Sequence, residues 1–119
     1  MEHKLLIVDD EQSIADILCE TFADEDIPTH ALYCGNDAID YLKNNQVKLV
    51  LSDIQMPNGS GIDILEHIQK MDSPPKIMMM TGYTEYSKDE LMSKGALEVF
   101  SKPVDLENLI DRVSEIVES

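Results

Sequence analysis

Short apolar runs alternate with longer amphipathic stretches along this chain. Leu5-Leu6-Ile7-Val8 is unbroken and stops at Asp9-Asp10. Lys48-Leu49-Val50-Leu51-Ser52-Asp53 likewise ends on a carboxylate. Ile77-Met78-Met79-Met80 ends on Thr81-Gly82, and Ala96-Leu97-Glu98-Val99-Phe100 ends on Ser101-Lys102-Pro103. A more mixed run, Thr29-His30-Ala31-Leu32-Tyr33, completes a set of five. Continuous apolar runs of this length suit strands covered on both faces, as in a parallel sheet.

The stretches between the runs carry helical spacing. Ile14, Ile17, Leu18 and Phe22 recur at intervals of three and four, as do Ala38, Tyr41 and Leu42, and Ile64, Leu65, Ile68 and Met71. Leu106, Leu109, Ile110, Val113, Ile116 and Val117 form one stripe in the last stretch. The segment 85–93 offers only Leu91 and Met92 as clearly apolar positions, with Gly95 placed to close a helix there. Five strand-helix repeats predict an α/β fold, a doubly wound parallel sheet with helices on both faces. Right-handed crossovers leave few topologies for it. No linker or low-complexity tract interrupts the pattern, so residues 1–119 read as one domain.

Composition narrows the function. The 119 residues include 24 Asp and Glu against 9 Lys and Arg, a formal net charge of −15. With 43% hydrophobic residues the chain can build a core, so an acidic disordered chain is excluded. That acidity argues against nucleic acid and anionic membrane surfaces as partners, because both are bound through Lys and Arg. No apolar run approaches the roughly 20 residues of a membrane helix. Met1-Glu2-His3-Lys4 has no signal-peptide character, which with only two cysteines, Cys19 and Cys34, points to a cytoplasmic protein whose thiols are packing groups.

The residues that stop the apolar runs carry the candidate chemistry. Asp9, Asp10, Asp53, Thr81 and Lys102 fall at or just past the C-terminal ends of predicted strands. In an open parallel sheet those ends share one edge, where ligands bind. Three carboxylates in one crevice repel each other and call for a proton or a cation. Hard oxygen ligands with water access suit Mg²⁺, which is usually shared with a phosphate. Lys102 and Thr81 add an ammonium and a hydroxyl for an anion, and a carboxylate can itself accept a phosphoryl group. Each residue has an ordinary reading too: Asp10 as a helix cap, Asp53 and Thr81-Gly82 as turn residues, Lys102 as a surface lysine. Their occurrence at four strand ends is what coincidence does not explain.

In this order, Asp9-Asp10-Glu11, Asp53-Ile54-Gln55-Met56-Pro57, Thr81-Gly82 and Lys102-Pro103 make the sequence resemble the receiver domain of two-component response regulators, over essentially the whole chain. The resemblance implies a flavodoxin-like sheet of order 2-1-3-4-5. It implies that Asp53 accepts a phosphoryl group from a histidine of a sensor kinase or phosphotransfer protein. Asp10 and Asp53 would ligate Mg²⁺ directly, Asp9 largely through water, with the Gln55 carbonyl completing the protein ligands. Lys102 would pair with phosphoryl oxygens, Thr81 would hydrogen-bond to one, and the Lys102–Pro103 peptide would be cis. Gln55 and Tyr83 occupy positions that tend to set phosphoryl lifetime, and a bulky Tyr83 would hinder the attacking water. The position three before the lysine, aromatic in many receivers, is Val99 here. Strand alternation points neighbouring Phe100 to the opposite face, so no residue is assigned as the usual aromatic switch.

Other function classes fit less well. A haloacid-dehalogenase-like phosphatase expects a second Asp two residues after its nucleophile, where this chain has Gln55. An FMN-binding flavodoxin needs a hydroxyl- and glycine-rich loop where Asp9-Asp10-Glu11 stands. A pseudo-receiver would have lost Asp53, Asp10 or Lys102, and all three are present. His3, His30 and His67 are expected in ordinary surface or half-buried roles, and Met78-Met79-Met80 in a core strand. The acidic last helix reads as a solvated face. The chain is expected to be either a stand-alone receiver or one domain of a longer protein.

Overall fold

The computed structural model describes residues 3–82 and 86–118. The elements, in chain order, are β1 (Leu5–Val8), α1 (Gln12–Asp24), β2 (Thr29–Leu32), α2 (Gly35–Asn44), β3 (Leu49–Asp53), α3 (Gly61–Gln69), β4 (Lys76–Thr81), α4 (Lys88–Ser93), β5 (Glu98–Ser101) and α5 (Leu106–Val117). The five strands pair in parallel in the order β2-β1-β3-β4-β5. This is the doubly wound sheet that the alternation of runs and stripes predicts.

Strand alternation divides the core into two halves. Leu5, Ile7, Leu49, Leu51, Met78, Met80 and Phe100 meet Ala15, Leu18 and Phe22 of α1 and Leu109, Val113 and Val117 of α5. Leu6, Val8, Val50, Ile77, Met79 and Val99 meet the buried residues of α2, α3 and α4. The three methionines thus serve both faces as packing residues, and Val99 and Phe100 do point to opposite faces. β2 is an edge strand and half-buried at all four positions, which is why its run is the mixed one.

Two helix positions and two element boundaries differ from the sequence pattern. Ile17 is 59% exposed and Leu106 42% exposed, although helical spacing places both on apolar stripes. Ala15, Leu18 and Phe22 occupy the face of α1 against the sheet, and Ile17, one residue from Leu18, is rotated about 100° away from it. α4 starts at Lys88, because Ser87 and Glu90 form a reciprocal capping box there. It ends as Gly95 predicts: at φ +121°, Gly95 donates to the Met92 carbonyl at 3.0 Å and Ala96 donates to that of Leu91 at 3.0 Å. That pair of bonds is a Schellman closure. It takes up residues 95 and 96, so β5 begins only at Glu98.

The histidines are less scattered than their sequence positions suggest. His3 and His30 bring their ring centroids to 5.1 Å, and His30 stacks on Tyr41 at 4.8 Å. His3 Nδ1 lies 3.1 Å from the Tyr41 hydroxyl. This is a half-buried ring pile at the sheet edge. Both cysteines are free, and Cys19 donates to the Thr29 carbonyl at 3.4 Å.

Candidate functional site

The register of the central strands builds the site. Val8 of β1 lies beside Ser52 of β3, so Asp9 and Asp53 emerge as neighbours. This is the crevice where the chain, having left β1 towards β2, returns on the other side, the switch point of a doubly wound sheet. β4 delivers Thr81 beside Ser101 of β5, and Lys102 follows directly.

Asp9 is fully buried, and its two oxygens are both engaged. Oδ1 accepts from the Glu11 amide at 3.0 Å, and Oδ2 accepts from Lys102 Nζ at 3.1 Å. Asp53, with its side chain 13% exposed, accepts from the Ile54 amide at 2.8 Å and from Lys102 Nζ at 3.2 Å. One ammonium thus bridges two carboxylates. Asp10 is exposed beside them, and oxygens of Asp9, Asp10 and Asp53 lie within 4.8 Å of one another. Asp10 does not cap α1: the N-cap is Glu11, and no side chain caps that end. Thr81 Oγ1 is buried and has no hydrogen-bond partner among the described residues. Gln55 is exposed in the loop after β3, and the Lys102–Pro103 peptide is cis. Tyr83 lies outside the described residues.

Glycine at 61 lets this loop return close to β3. Its amide donates to the Ile54 carbonyl at 2.8 Å, and a Cβ there would collide with the Asp53 carbonyl oxygen. The second glycine in Asn58-Gly59-Ser60-Gly61 is the signal for this contact in the sequence.

Electrostatics make Asp53 a reluctant anion. Burial raises its pKa, the charge and hydrogen bond of Lys102 pull it down, Asp9 pushes it up again, and the net shift is upward. Burial tends to lower Lys102, but the hydrogen bond to Asp9 and the charges of Asp53 and Asp9 outweigh it, so Lys102 is raised. The donor set suits a hard cation: three carboxylates against one ammonium leave negative charge uncompensated, and the ligands are oxygens. The unpaired Thr81 hydroxyl suits an acceptor brought from outside the chain.

The raised Asp53 has a consequence for stability. The folded state holds this proton more tightly than the unfolded chain, so ionising Asp53 costs stability. The cost is absent below the carboxyl's ordinary value of 3.8 and grows as pH rises through the higher folded value. The Lys102 contribution has the other sense: it is complete below 10.5 and is lost only above that value. Asp53→Asn should therefore stabilise the protein in EDTA at pH 7, with the gain shrinking towards pH 3.5. Urea unfolding at both pH values measures it, and no gain at pH 7 refutes this account of the charge.

The family model for the response regulator receiver domain matches residues 5–114. The chain belongs to the response regulator receiver family. This receiver domain is 34% identical over 116 residues to sporulation initiation phosphotransferase F of Bacillus subtilis (strain 168), covering 97% of this chain and 94% of that protein. Among solved structures it superposes on the response regulator TrrA of Thermotoga maritima, a complex with Mg²⁺ and BeF, with TM-score 0.84 and 29% identity, covering 98% and 99% of the two chains. The receiver domain of the Francisella response regulator 1452 has the same fold, with TM-score 0.90, 24% identity and 98% of each chain covered. Receivers are signalling modules of two-component phosphorelays, which sets this chain apart from the phosphatase and flavodoxin alternatives. Among the described residues no helix is long and apolar enough to cross a membrane.

Proposed function

We propose that residues 1–119 act as one cytoplasmic receiver domain that takes a phosphoryl group onto Asp53. The donor is the phosphohistidine of a sensor kinase or of a phosphotransfer protein, a place in a relay that the likeness to a sporulation phosphotransferase supports. An Asp53 oxygen attacks phosphorus; the new P–O bond forms as the P–N bond breaks, and the imidazole leaves with the bonding electrons. The observation that carries this reading is the Lys102 ammonium, 3.2 Å from Asp53 and 3.1 Å from Asp9 at the sheet's switch point. It stands where it can follow the negative charge from the carboxylate to the transferred oxygens. Thr81 donates to one of those oxygens, which gives its buried hydroxyl the partner it lacks. Asp9, Asp10, Asp53 and the Gln55 carbonyl would hold Mg²⁺. When bound, Mg²⁺ supplies positive charge that offsets the phosphoryl oxygens. Chemistry at the site is limited to the domain's own phosphorylation and dephosphorylation.

Incubation with acetyl phosphate and Mg²⁺, read by intact mass, tests the proposal. One phosphoryl group should be gained, and EDTA should suppress the gain. A protein that stays unmodified with acetyl phosphate and with a phosphorylated histidine donor is a binding module instead.

A further inference from the structure

The N-terminus of α2 is capped in an unusual way. A helix leaves its first amides without internal partners, and a side chain at the N-cap normally satisfies one of them. Here the N-cap is Cys34, which makes no such bond. Two carbonyls of the β3–α3 loop take its place. Gly35 donates to the Gly59 carbonyl at 2.8 Å, and Asn36 donates to that of Asn58 at 3.0 Å.

The backbones meet so closely that no side chain fits between them. A Cβ on Gly35 would stand 2.5 Å from the Gly59 carbonyl carbon and oxygen. A Cβ on Gly59 would stand 2.5 Å from the Asn36 nitrogen. The loop presents those carbonyls by passing through two left-handed residues, Asn58 at φ 60° and Gly59 at φ 106°. At its other end Gly61 bonds back to Ile54. The stretch from Ile54 to Gly61 is therefore closed at its base and held at its tip. Gln55 lies within it, and the intervening Met56 is buried.

We propose that the N-terminus of α2 is a positioning element for the metal site, fixing through Gly35 and Asn36 the loop that offers the Gln55 carbonyl. This rests on the reading of Asp9, Asp10, Asp53 and Gln55 as Mg²⁺ ligands. The first turn of α2 touches none of the three carboxylates in any described hydrogen bond or ion pair; its hydrogen bonds to the loop are those of Gly35 and Asn36.

The test uses Mg²⁺ alone, titrated by NMR. Gly35→Ala should weaken Mg²⁺ binding more than threefold while the sheet stays folded in EDTA. Val113→Ala, in the α5 half of the core, should lower stability but leave the affinity within threefold. An unchanged affinity in Gly35→Ala, or an equal loss in Val113→Ala, overturns the proposal. If Gly35→Ala does not fold, Gly59→Ala carries the same expectation. In the unaltered protein, saturating Mg²⁺ should slow amide exchange at Gly35 and Asn36 more than in the rest of α2, and unchanged exchange there also overturns it. An unaltered protein that binds no Mg²⁺ overturns the ligand reading itself and this proposal with it.

Discussion

An Asp53→Asn protein should take up no phosphoryl group, with labelling below about one-hundredth of the unaltered protein's. An acceptor needs a nucleophilic oxygen that an incoming donor can reach. Asp9 has the charge but no access, being fully buried with one oxygen on the Glu11 amide and the other on Lys102. The Ser52 hydroxyl is buried and donates to the Asp53 carbonyl at 2.7 Å. Asp10 has access but makes no bond to Lys102, so nothing there would receive the developing charge. Asp53 alone among these combines partial exposure with the ammonium. Its amide variant keeps the shape and removes the nucleophile. Intact mass after treatment with acetyl phosphate and Mg²⁺ reads the result. Asp10→Asn is the informative companion: it should still be labelled, but at higher Mg²⁺ concentration. Labelling that persists in Asp53→Asn and disappears in Asp10→Asn would move the acceptor to Asp10.

Lys102→Met should separate two properties that rise and fall together in a merely damaged site. Removing the ammonium takes away the positive charge that meets the transferring group, and the rate of phosphorylation should fall about a hundredfold or more. It also leaves Asp9 and Asp53 facing each other without a counter-ion, so Mg²⁺ should bind more tightly than to the unaltered protein. In EDTA the variant should be less stable, because Asp9 is left as a buried carboxylate without its charged partner. Single-turnover labelling and a Mg²⁺ titration measure the two effects. A variant that loses both phosphorylation and Mg²⁺ affinity would show that Lys102 holds the site's shape, not its charge balance.

Much of this was legible because a parallel sheet buries its strands on both sides. Each strand then announces itself as an unbroken apolar run, and the polar residue that ends it is placed on the ligand edge. Asp9, Asp53, Thr81 and Lys102 were read in that way, and the structure brings them to one edge. What the pattern could not carry was anything decided between elements. Ile17 satisfies helical spacing, yet Ala15, Leu18 and Phe22 take the sheet face. Nothing in the run of residues tells that His3 and His30 share a ring pile, since an edge strand and the segment before β1 must first be laid side by side. The tie between Gly35 and Gly59 is quieter still: it depends on the absence of two Cβ atoms and on backbone groups that every residue possesses. The bridging role of Lys102 likewise waits on register, because only pairing of β1 with β3 sets its two carboxylate partners beside each other.

The division of the core has a consequence at the edge. Asp9 and Asp53 continue the alternation that faces α1 and α5, whereas Thr81 continues the one that faces α3 and α4. Elsewhere the two clusters pack on opposite faces of the sheet. A charge placed between Asp53 and Thr81 is answerable to both. Among the described residues, this edge is a place where side chains that continue both alternations meet, so a group bound there would touch the ends of both halves of the core.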